Sequence, residues 1–341
     1  MTALNRRIVL DHRPDGIPGP ANFRRDDQTP PALADGRVLV RNHYLSIDPA
    51  QRGWISAGPG YTEPVAPGAV MRSLAVGEVI ASRHPQYAAG DFLYGWFGWQ
   101  DFCAAGEAQV IARVDVAQGG ISAGLGLYGI CGLTAWLALT ELGRPRAGET
   151  VLVSTAAGAV GSLVGQLARR LGCRVVGLAG SDGKVRQCLA EFGYHAALNY
   201  RTGLDDAALR ALCPEGVDIF FDNTSGEIAD AVWPHMKLRG RIIQCGTAAV
   251  GCWDPLPVAP RRERAVLAKR LRHEGFIVFD HLPRFPEVIA QLARWNREGT
   301  LVFHEDVATG LDSAPEALAS LFRGENRGKK MVRIADGARA L

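Results

Sequence analysis

Apolar and polar positions follow two different rhythms along this chain of 341 residues. Up to about residue 125 the apolar residues come in short alternating runs cut by glycine and proline. Arg37-Val38-Leu39-Val40-Arg41-Asn42-His43 alternates after the turn signal Asp35-Gly36, and Val76 to Ala81 and Phe92 to Phe97 predict further strands. Gly58-Pro59-Gly60-Tyr61 and Pro64 to Gly68 predict loops. Short strands at regular spacing point to a partly closed barrel. From about Ser122 helix and strand patterns alternate. Helices are expected at Gly132 to Leu139, Val185 to Phe192 and Asp206 to Leu212, and strands at Ala197 to Tyr200, Val217 to Asp222 and Arg241 to Cys245. Such repetition means a parallel sheet with helices on both faces.

Beyond it, Glu263 to His273 reads as a basic amphipathic helix, Gly275 to Phe279 as an apolar strand and Phe285 to Glu298 as a helix. Leu301-Val302-Phe303 and the closing Met331-Val332-Arg333-Ile334 read as strands leading back to the first domain, with a helix at Ala314 to Phe322 between them. The expected fold is therefore α/β, a doubly wound parallel sheet at residues 126–304 inserted into a β-rich domain of residues 1–125 plus 305–341. The cleft between the two domains is the expected site.

The densest signal is Thr150 to Lys184, which reads strand, tight turn, helix, strand. Val151 to Ser154 is a short β-branched run, Leu163, Leu167, Ala168 and Leu171 recur at helical spacing before Gly172, and Arg174 to Leu178 is a second strand. Between strand and helix lies Ala156-Ala157-Gly158-Ala159-Val160-Gly161, a dinucleotide fingerprint whose first glycine is alanine. Gly158 would let backbone approach a pyrophosphate, Gly161 would let helix pack on strand, and the helix N-terminus would hold the phosphate charge.

An NAD-preferring site places an acid at the end of the second strand to take the ribose hydroxyls. This strand ends Leu178-Ala179-Gly180-Ser181, with Asp182 one residue too late and Ser181 and Lys184 offering a hydroxyl and a cation to a 2′-phosphate. NADP(H) is the expected cofactor, against the plainer reading of Lys184 as a solvated first-turn residue.

Composition narrows the class. A 47% hydrophobic content fills two cores, and a net charge of +3 with interspersed signs gives no nucleic-acid footprint. The lack of an apolar run of 18 or more residues, or of an N-terminal signal, predicts a soluble cytoplasmic protein without a membrane partner. Seven scattered cysteines, odd in number, predict reduced thiols.

Several stretches in family order resemble the zinc-independent medium-chain dehydrogenase/reductases, in the alkenal, leukotriene/prostaglandin and curcumin reductase branch. They include Leu45-Ser46-Ile47-Asp48-Pro49, Tyr61 with Pro64-Val65, Gly68 to Met71, Gly132 to Ala135, Ala156 to Ser162, Gly180-Ser181-Asp182, Asn199-Tyr200, Phe221-Asp222-Asn223, Cys245-Gly246, Gly275 to Val278, and Gly324-Glu325-Asn326 with Gly328-Lys329. The resemblance implies a Rossmann domain inserted into a GroES-like catalytic domain, and NADPH-dependent reduction of the carbon–carbon double bond of a small apolar enal or enone. It implies that Ala157, Gly158, Ala159, Val160 and Gly161 take the pyrophosphate, that Ser181, Lys184 and Tyr200 take the adenosine phosphate end, and that Asn223 takes the ribose region. Thr134, Cys245, Gly246, Thr247, Phe276, Ile277 and Val278 would contact the cofactor around the nicotinamide, and Asn326 would reach it from the returning segment. A homodimer pairing cofactor domains edge to edge is implied, with Gly275 to Phe279 as the edge.

Zinc-dependent relatives carry Gly-His-Glu where this chain has Met71-Arg72-Ser73, and a cysteine where it has Ser46 to Asp48. No set of about three ligands around an open position is visible, so no metal is assigned. Hydride transfer to an unsaturated carbonyl needs a stabilised oxyanion more than a nucleophile. Tyr61 is the expected hydroxyl donor, because it lies in the glycine-rich loop facing the expected cleft and matches a tyrosine of the curcumin-reductase branch. The tyrosines that relatives place after the sixth strand's Cys-Gly and near Ala268 are not tyrosine here, which leaves substrate class and proton donor open. Trp96, Phe97 and Trp99 read as core before pocket wall, and Trp253 with Asp254 as a loop pin or a pocket cap. The arginines of Arg261 to Arg264 read as a solvated face or subunit contact before a carboxylate site. A quinone reductase and a non-catalytic NADPH-binding sensor are the alternatives.

Overall fold

A computed structural model describes residues 4–58, 60–250 and 255–334. The alternating segments fold as β1 (Ile8–Leu10), β2 (Phe23–Arg25), β3 (Val38–Ser46), the short helix α1 (Ala50–Trp54), β4 (Ala75–Ser82), β5 (Phe92–Gly95), β6 (Phe102–Ala105) and β7 (Val110–Arg113). The helix–strand stretch follows as α2 (Ile130–Leu137), β8 (Thr150–Ser154), α3 (Ala159–Arg170), β9 (Arg174–Ala179), α4 (Asp182–Ala190), β10 (Ala196–Asn199), α5 (Tyr200–Gly203), α6 (Asp206–Leu212), β11 (Val217–Asp222), α7 (Gly226–Val232), β12 (Met236–Gln244), α8 (Glu263–Lys269), β13 (Arg272–Gly275) and α9 (Phe285–Arg297). The chain then returns through β14 (Glu305–Thr309), α10 (Ala314–Arg323) and β15 (Lys329–Arg333). One unit comprises the described residues up to Gly129 and from Glu305 on; the other is Ile130–His304.

In the first unit the strands run in the order β14-β15-β3-β4-β5-β7, with β6 also on β3 and β1-β2 as a separate pair. Apart from the parallel β14-β15 step, its pairings are antiparallel. Alternation sends Val38, Val40 and Leu45 of β3 into a core with Trp54, Phe97 and Trp99. Phe97 and Trp99 are thus core, while Trp96 packs half-buried against it. The returning segment is held to β3 by charge as well as by strand pairing. Buried Lys329 places Nζ 2.6 Å from Asp48 Oδ1 and 3.1 Å from the Ile47 carbonyl, and Asp48 Oδ2 accepts from Ser46 Oγ at 2.5 Å. The family-like stretches around Asp48 and Lys329 are therefore one structural feature. An ion pair this buried holds only while both partners are present.

In the second unit six parallel strands run β10-β9-β8-β11-β12-β13. Strand β8 is buried at every residue, as a central parallel strand must be. Helix α3 packs Leu163, Val164, Leu167 and Ala168 inward, each burial worth about 1.5–3 kcal/mol for the larger side chains, and leaves Arg169 and Arg170 at its exposed end. The order reverses between β8 and β11, where doubly wound sheets bind ligands beyond the strand ends.

Three segments depart from the sequence expectation. The edge strand is β13, polar and exposed, and Phe276 to Phe279 lie beyond it, with Val278 opening a 3-10 helix. An edge strand pairs on one side only, so its face needs no apolar run, whereas Phe276 and Val278 bury their side chains from a loop and a helix start. The helix at 263 stops at Lys269, because Arg270 adopts a left-handed conformation and Arg272 and His273 join β13. Leu301 to Phe303 is not a strand and belongs to the second unit, where Gln166 holds Val302 through both its carbonyl and its N–H; the first strand back is β14.

Candidate active site

The fingerprint turns at Thr155, which holds φ +54, while Ala156 and Ala157 are buried. Gly158 sits extended as the N-cap of α3, and no side chain caps that helix. Its first N–H groups therefore keep their capacity for an anion. A Cβ on Gly161 would lie 2.3 Å from the Thr155 carbonyl oxygen, so the helix can approach the turn this closely only with glycine. The buried Tyr194 hydroxyl donates to the Gly161 carbonyl at 2.7 Å, a brace the sequence reading missed because a lone tyrosine 33 positions away carries no local signal. These are the features a pyrophosphate cradle needs.

At the ends of β9 and β10 the chain brings Ser181, Lys184 and Tyr200 together. Ser181 caps α4 by accepting the Lys184 N–H at 3.3 Å, and Lys184 is half-buried in the first turn. Tyr200 opens α5 with its hydroxyl over Gly180, where a Cβ would stand 2.8 Å from it. The rival acid, Asp182, accepts from Asn199 Nδ2 at 2.8 Å, so its carboxylate is already engaged in tying β10 to α4.

Where the strand order reverses, Asp222 organises the floor. It is fully buried, and its Oδ1 accepts from Ser154 Oγ at 3.2 Å, Thr224 N at 2.8 Å, Thr224 Oγ1 at 3.0 Å and Ser225 N at 2.9 Å. Its Oδ2 accepts from Gln244 Nε2 at 3.2 Å, and Gln244 also holds the Gly246 carbonyl at 2.6 Å. Asn223 fastens back on Ser154, donating its side-chain amide to the Ser154 carbonyl at 2.8 Å and its N–H to Ser154 Oγ at 2.8 Å. The Cys245 and Gly246 N–H groups donate to the Asp222 carbonyl at 2.8 and 3.1 Å. Burial, with Asp222 and Cys131 adding to it, pushes the Cys245 thiol up to about 12, so it stays protonated and unreactive. Thr247 follows, Phe276 donates its N–H to the Gln244 carbonyl at 3.1 Å, Ile277 is half-buried and Val278 buried, and Thr134 is buried on α2. Gln244 and Ser154 were not expected from the sequence; only the folded sheet places them beside Asp222.

In the first unit, Tyr61 is 56% exposed and its hydroxyl oxygen accepts from Trp54 Nε1 at 2.9 Å. Asn326 is half-buried and donates to the Gly328 carbonyl at 2.9 Å. Arg261 pairs with Glu263, and Arg262 with Asp230 while lying over the Trp233 ring at 4.6 Å, so these cations serve local pairs. Trp253 and Asp254 lie outside the described residues. Among the described residues no group of three or more His, Cys, Asp or Glu comes together in a way that could hold a metal ion, and no helix is long and apolar enough to cross a membrane.

A doubly wound nucleotide-binding unit inserted into a β-rich unit defines a nicotinamide-dependent oxidoreductase. Residues 6–113 match the family described as the N-terminal domain of oxidoreductase, and residues 159–294 the family described as zinc-binding dehydrogenase. The chain is 38% identical to the NADPH-dependent curcumin reductase of Escherichia coli over 97% of each chain. It is 37% identical to the NADP(+)-dependent 2-alkenal reductase of Nicotiana tabacum over 97% of this chain and 98% of that one. The crystal structure of CurA in complex with NADPH from Vibrio vulnificus superposes with a TM-score of 0.91 at 35% identity, covering 97% of this chain and 99% of that one. The chain belongs to the zinc-independent medium-chain dehydrogenase/reductases, in the alkenal and curcumin reductase branch, and is an NADP-dependent oxidoreductase.

Proposed function

We propose that this protein reduces the carbon–carbon double bond of small apolar enals and enones, with NADPH as the hydride donor and without a metal. The observation that supports the NADPH part of this reading most is the group beyond β9: Ser181 caps α4, Lys184 is half-buried in its first turn and Tyr200 sets its hydroxyl over Gly180, while Asp182 accepts from Asn199. The bound cofactor supplies hydride. The α3 N-terminus, from Gly158 to Gly161, and Asn223 would hold the dinucleotide, while Thr134, Cys245 to Thr247, Phe276 to Val278 and Asn326 would seat the nicotinamide end. Tyr61 then offers its hydroxyl to the substrate carbonyl, where negative charge gathers as hydride reaches the β-carbon. The protonated Cys245 thiol suits an electrophilic substrate, since only thiolate adds readily to an enone.

The experiment is NADPH oxidation followed with 2-alkenals, enones and quinones, repeated after chelation. Turnover on enones that survives chelation is expected; turnover on quinones alone would replace this reading with a quinone reductase, and tight NADPH binding without turnover would make the protein a sensor. Lys184→Ala should weaken NADPH about ten- to hundredfold, the worth of a charge-assisted hydrogen bond, and NADH by less than about twofold. Equal loss for both, measured by fluorescence titration, would remove Lys184 from the 2′-phosphate.

We further propose a homodimer through β13, which among the described residues pairs only with β12 and is exposed at all four positions. An open edge of this kind is a template for a second copy. Light scattering should give twice the chain mass, and Gly275→Pro should halve it, because Phe276 N–H turns toward β12 and the neighbouring Gly275 N–H therefore faces outward, where a Cβ meets nothing within 4 Å. The described cysteines are free thiols, which suits the cytoplasm as the working compartment; fractionation of the cells that make it tests this.

A further inference from the structure

Resting on the reading of Tyr61 as the hydroxyl donor, we propose that Trp54 is the positioning residue that aims and strengthens it. An indole N–H can only donate, so in the 2.9 Å bond from Trp54 Nε1 the Tyr61 oxygen uses a lone pair, and the bond does not consume the phenolic O–H. A donor onto the phenol oxygen also stabilises negative charge there, which makes the O–H a better proton donor to a forming oxyanion. Trp54 therefore does two things at once for a tyrosine that is 56% exposed and sits in a glycine-bearing loop: it fixes the hydroxyl and it polarises it.

The indole is equipped for this. Trp54 is 2% exposed at the end of α1, and its ring meets Trp96 edge-on at 5.4 Å. Its carbonyl accepts the Val65 N–H at 2.7 Å, so the far side of the Tyr61 loop is fastened to the same residue. Just before α1, Asp48 donates its N–H to Gln51 Oε1, and its carboxylate is gripped by buried Lys329. The exposed tyrosine is thus tied to the core through a buried, rigid side chain. That also gives Trp96 a part, as the wall that sets the Trp54 ring plane.

The test is a double-mutant cycle on enone turnover. Tyr61→Phe is expected to lower kcat about ten- to hundredfold with NADPH affinity unchanged, as loss of one hydrogen bond to a developing charge would. Trp54→Phe, which removes the N–H and keeps an aromatic ring, should lower kcat by about tenfold with the KM for NADPH unmoved, and should cost nothing further in the Tyr61→Phe background. Incorporating β-(3-benzothienyl)alanine at Trp54 keeps the ring shape without the N–H and should reproduce the kcat loss at unchanged melting temperature, which covers the case of a Phe variant that folds poorly. If the two single losses multiply in the double variant, or the benzothienyl protein turns over at the parental rate, Trp54 merely packs and this inference falls alone. If Tyr61→Phe leaves turnover unchanged, the donor assignment falls and takes this inference with it.

Discussion

Replacing Asp222 by alanine is expected to lower the melting temperature of the second unit by about 6–12 °C and to abolish measurable NADPH binding. The carboxylate is fully buried and accepts from Ser154, Thr224 twice, Ser225 and Gln244. Alanine leaves two backbone N–H groups and two hydroxyls without this acceptor and takes from the Gln244 amide one of its two, and orphaned buried donors of this kind cost about 3 kcal/mol or more. For a unit of this size each kcal/mol is worth about 2–4 °C. The loss of binding has the same cause, since the carboxylate positions both Ser154, on which Asn223 is fastened, and Gln244, which holds the Gly246 carbonyl. Asp222→Asn separates the two effects. Its amide oxygen still serves the donors at Oδ1, but its NH2 meets the Gln244 NH2, so it should fall between alanine and the parent in calorimetry. An alanine variant that melts within about 2 °C of the parent would show that the floor of the site is held elsewhere.

Gly161→Ala should weaken NADPH about tenfold or more and destabilise the second unit by about 1–3 kcal/mol, the usual cost of overpacking. The new methyl would stand 2.3 Å from the Thr155 oxygen and 2.9 Å from the Ala156 Cα, both backbone atoms, so no rotamer can relieve the clash. The start of α3 must move off the turn by about the missing ångström of van der Waals distance, taking its N–H groups away from the pyrophosphate and straining the Tyr194 bond to the Gly161 carbonyl. Ala156 is a useful contrast, because it already fills the first glycine position of the fingerprint without penalty: the left-handed turn is made one residue earlier, at Thr155. Glycine at position 156 should therefore leave NADPH affinity within about twofold of the parent. Isothermal titration of both variants checks the pair, and a Gly161→Ala protein that binds normally would remove the close approach from the account.

The chain's own pattern determined which class of fold it takes and where the turn proposed as the cofactor cradle begins. A fully apolar β8, the stripe Leu163-Leu167-Ala168 and the glycines 158 and 161 are local signals, because strand burial, helix amphipathicity and backbone clearance are each settled within a few residues. Strand β11 and α6 begin and end where the sequence pattern put them for the same reason. Local signals were misleading at the sheet edge. Phe276 to Phe279 is apolar enough to read as a strand, yet β13 is Arg272 to Gly275, since hydrogen bonding to β12 and not hydrophobicity decides where an edge strand lies. The same holds at Leu301 to Phe303, where the Gln166 side chain takes both backbone groups of Val302 in place of a neighbouring strand.

Tertiary structure alone decided the partners of the polar groups. Ser154 and Asp222 are 68 positions apart, Lys329 and Asp48 281, Tyr194 and Gly161 33. Periodicity names the face on which a side chain lies but not the donor it meets across the sheet, because that depends on strand order and register. So the sequence could say that Asp182 and Lys184 compete for a ribose or its phosphate, and only the fold could show that Asp182 accepts from Asn199 across to β10.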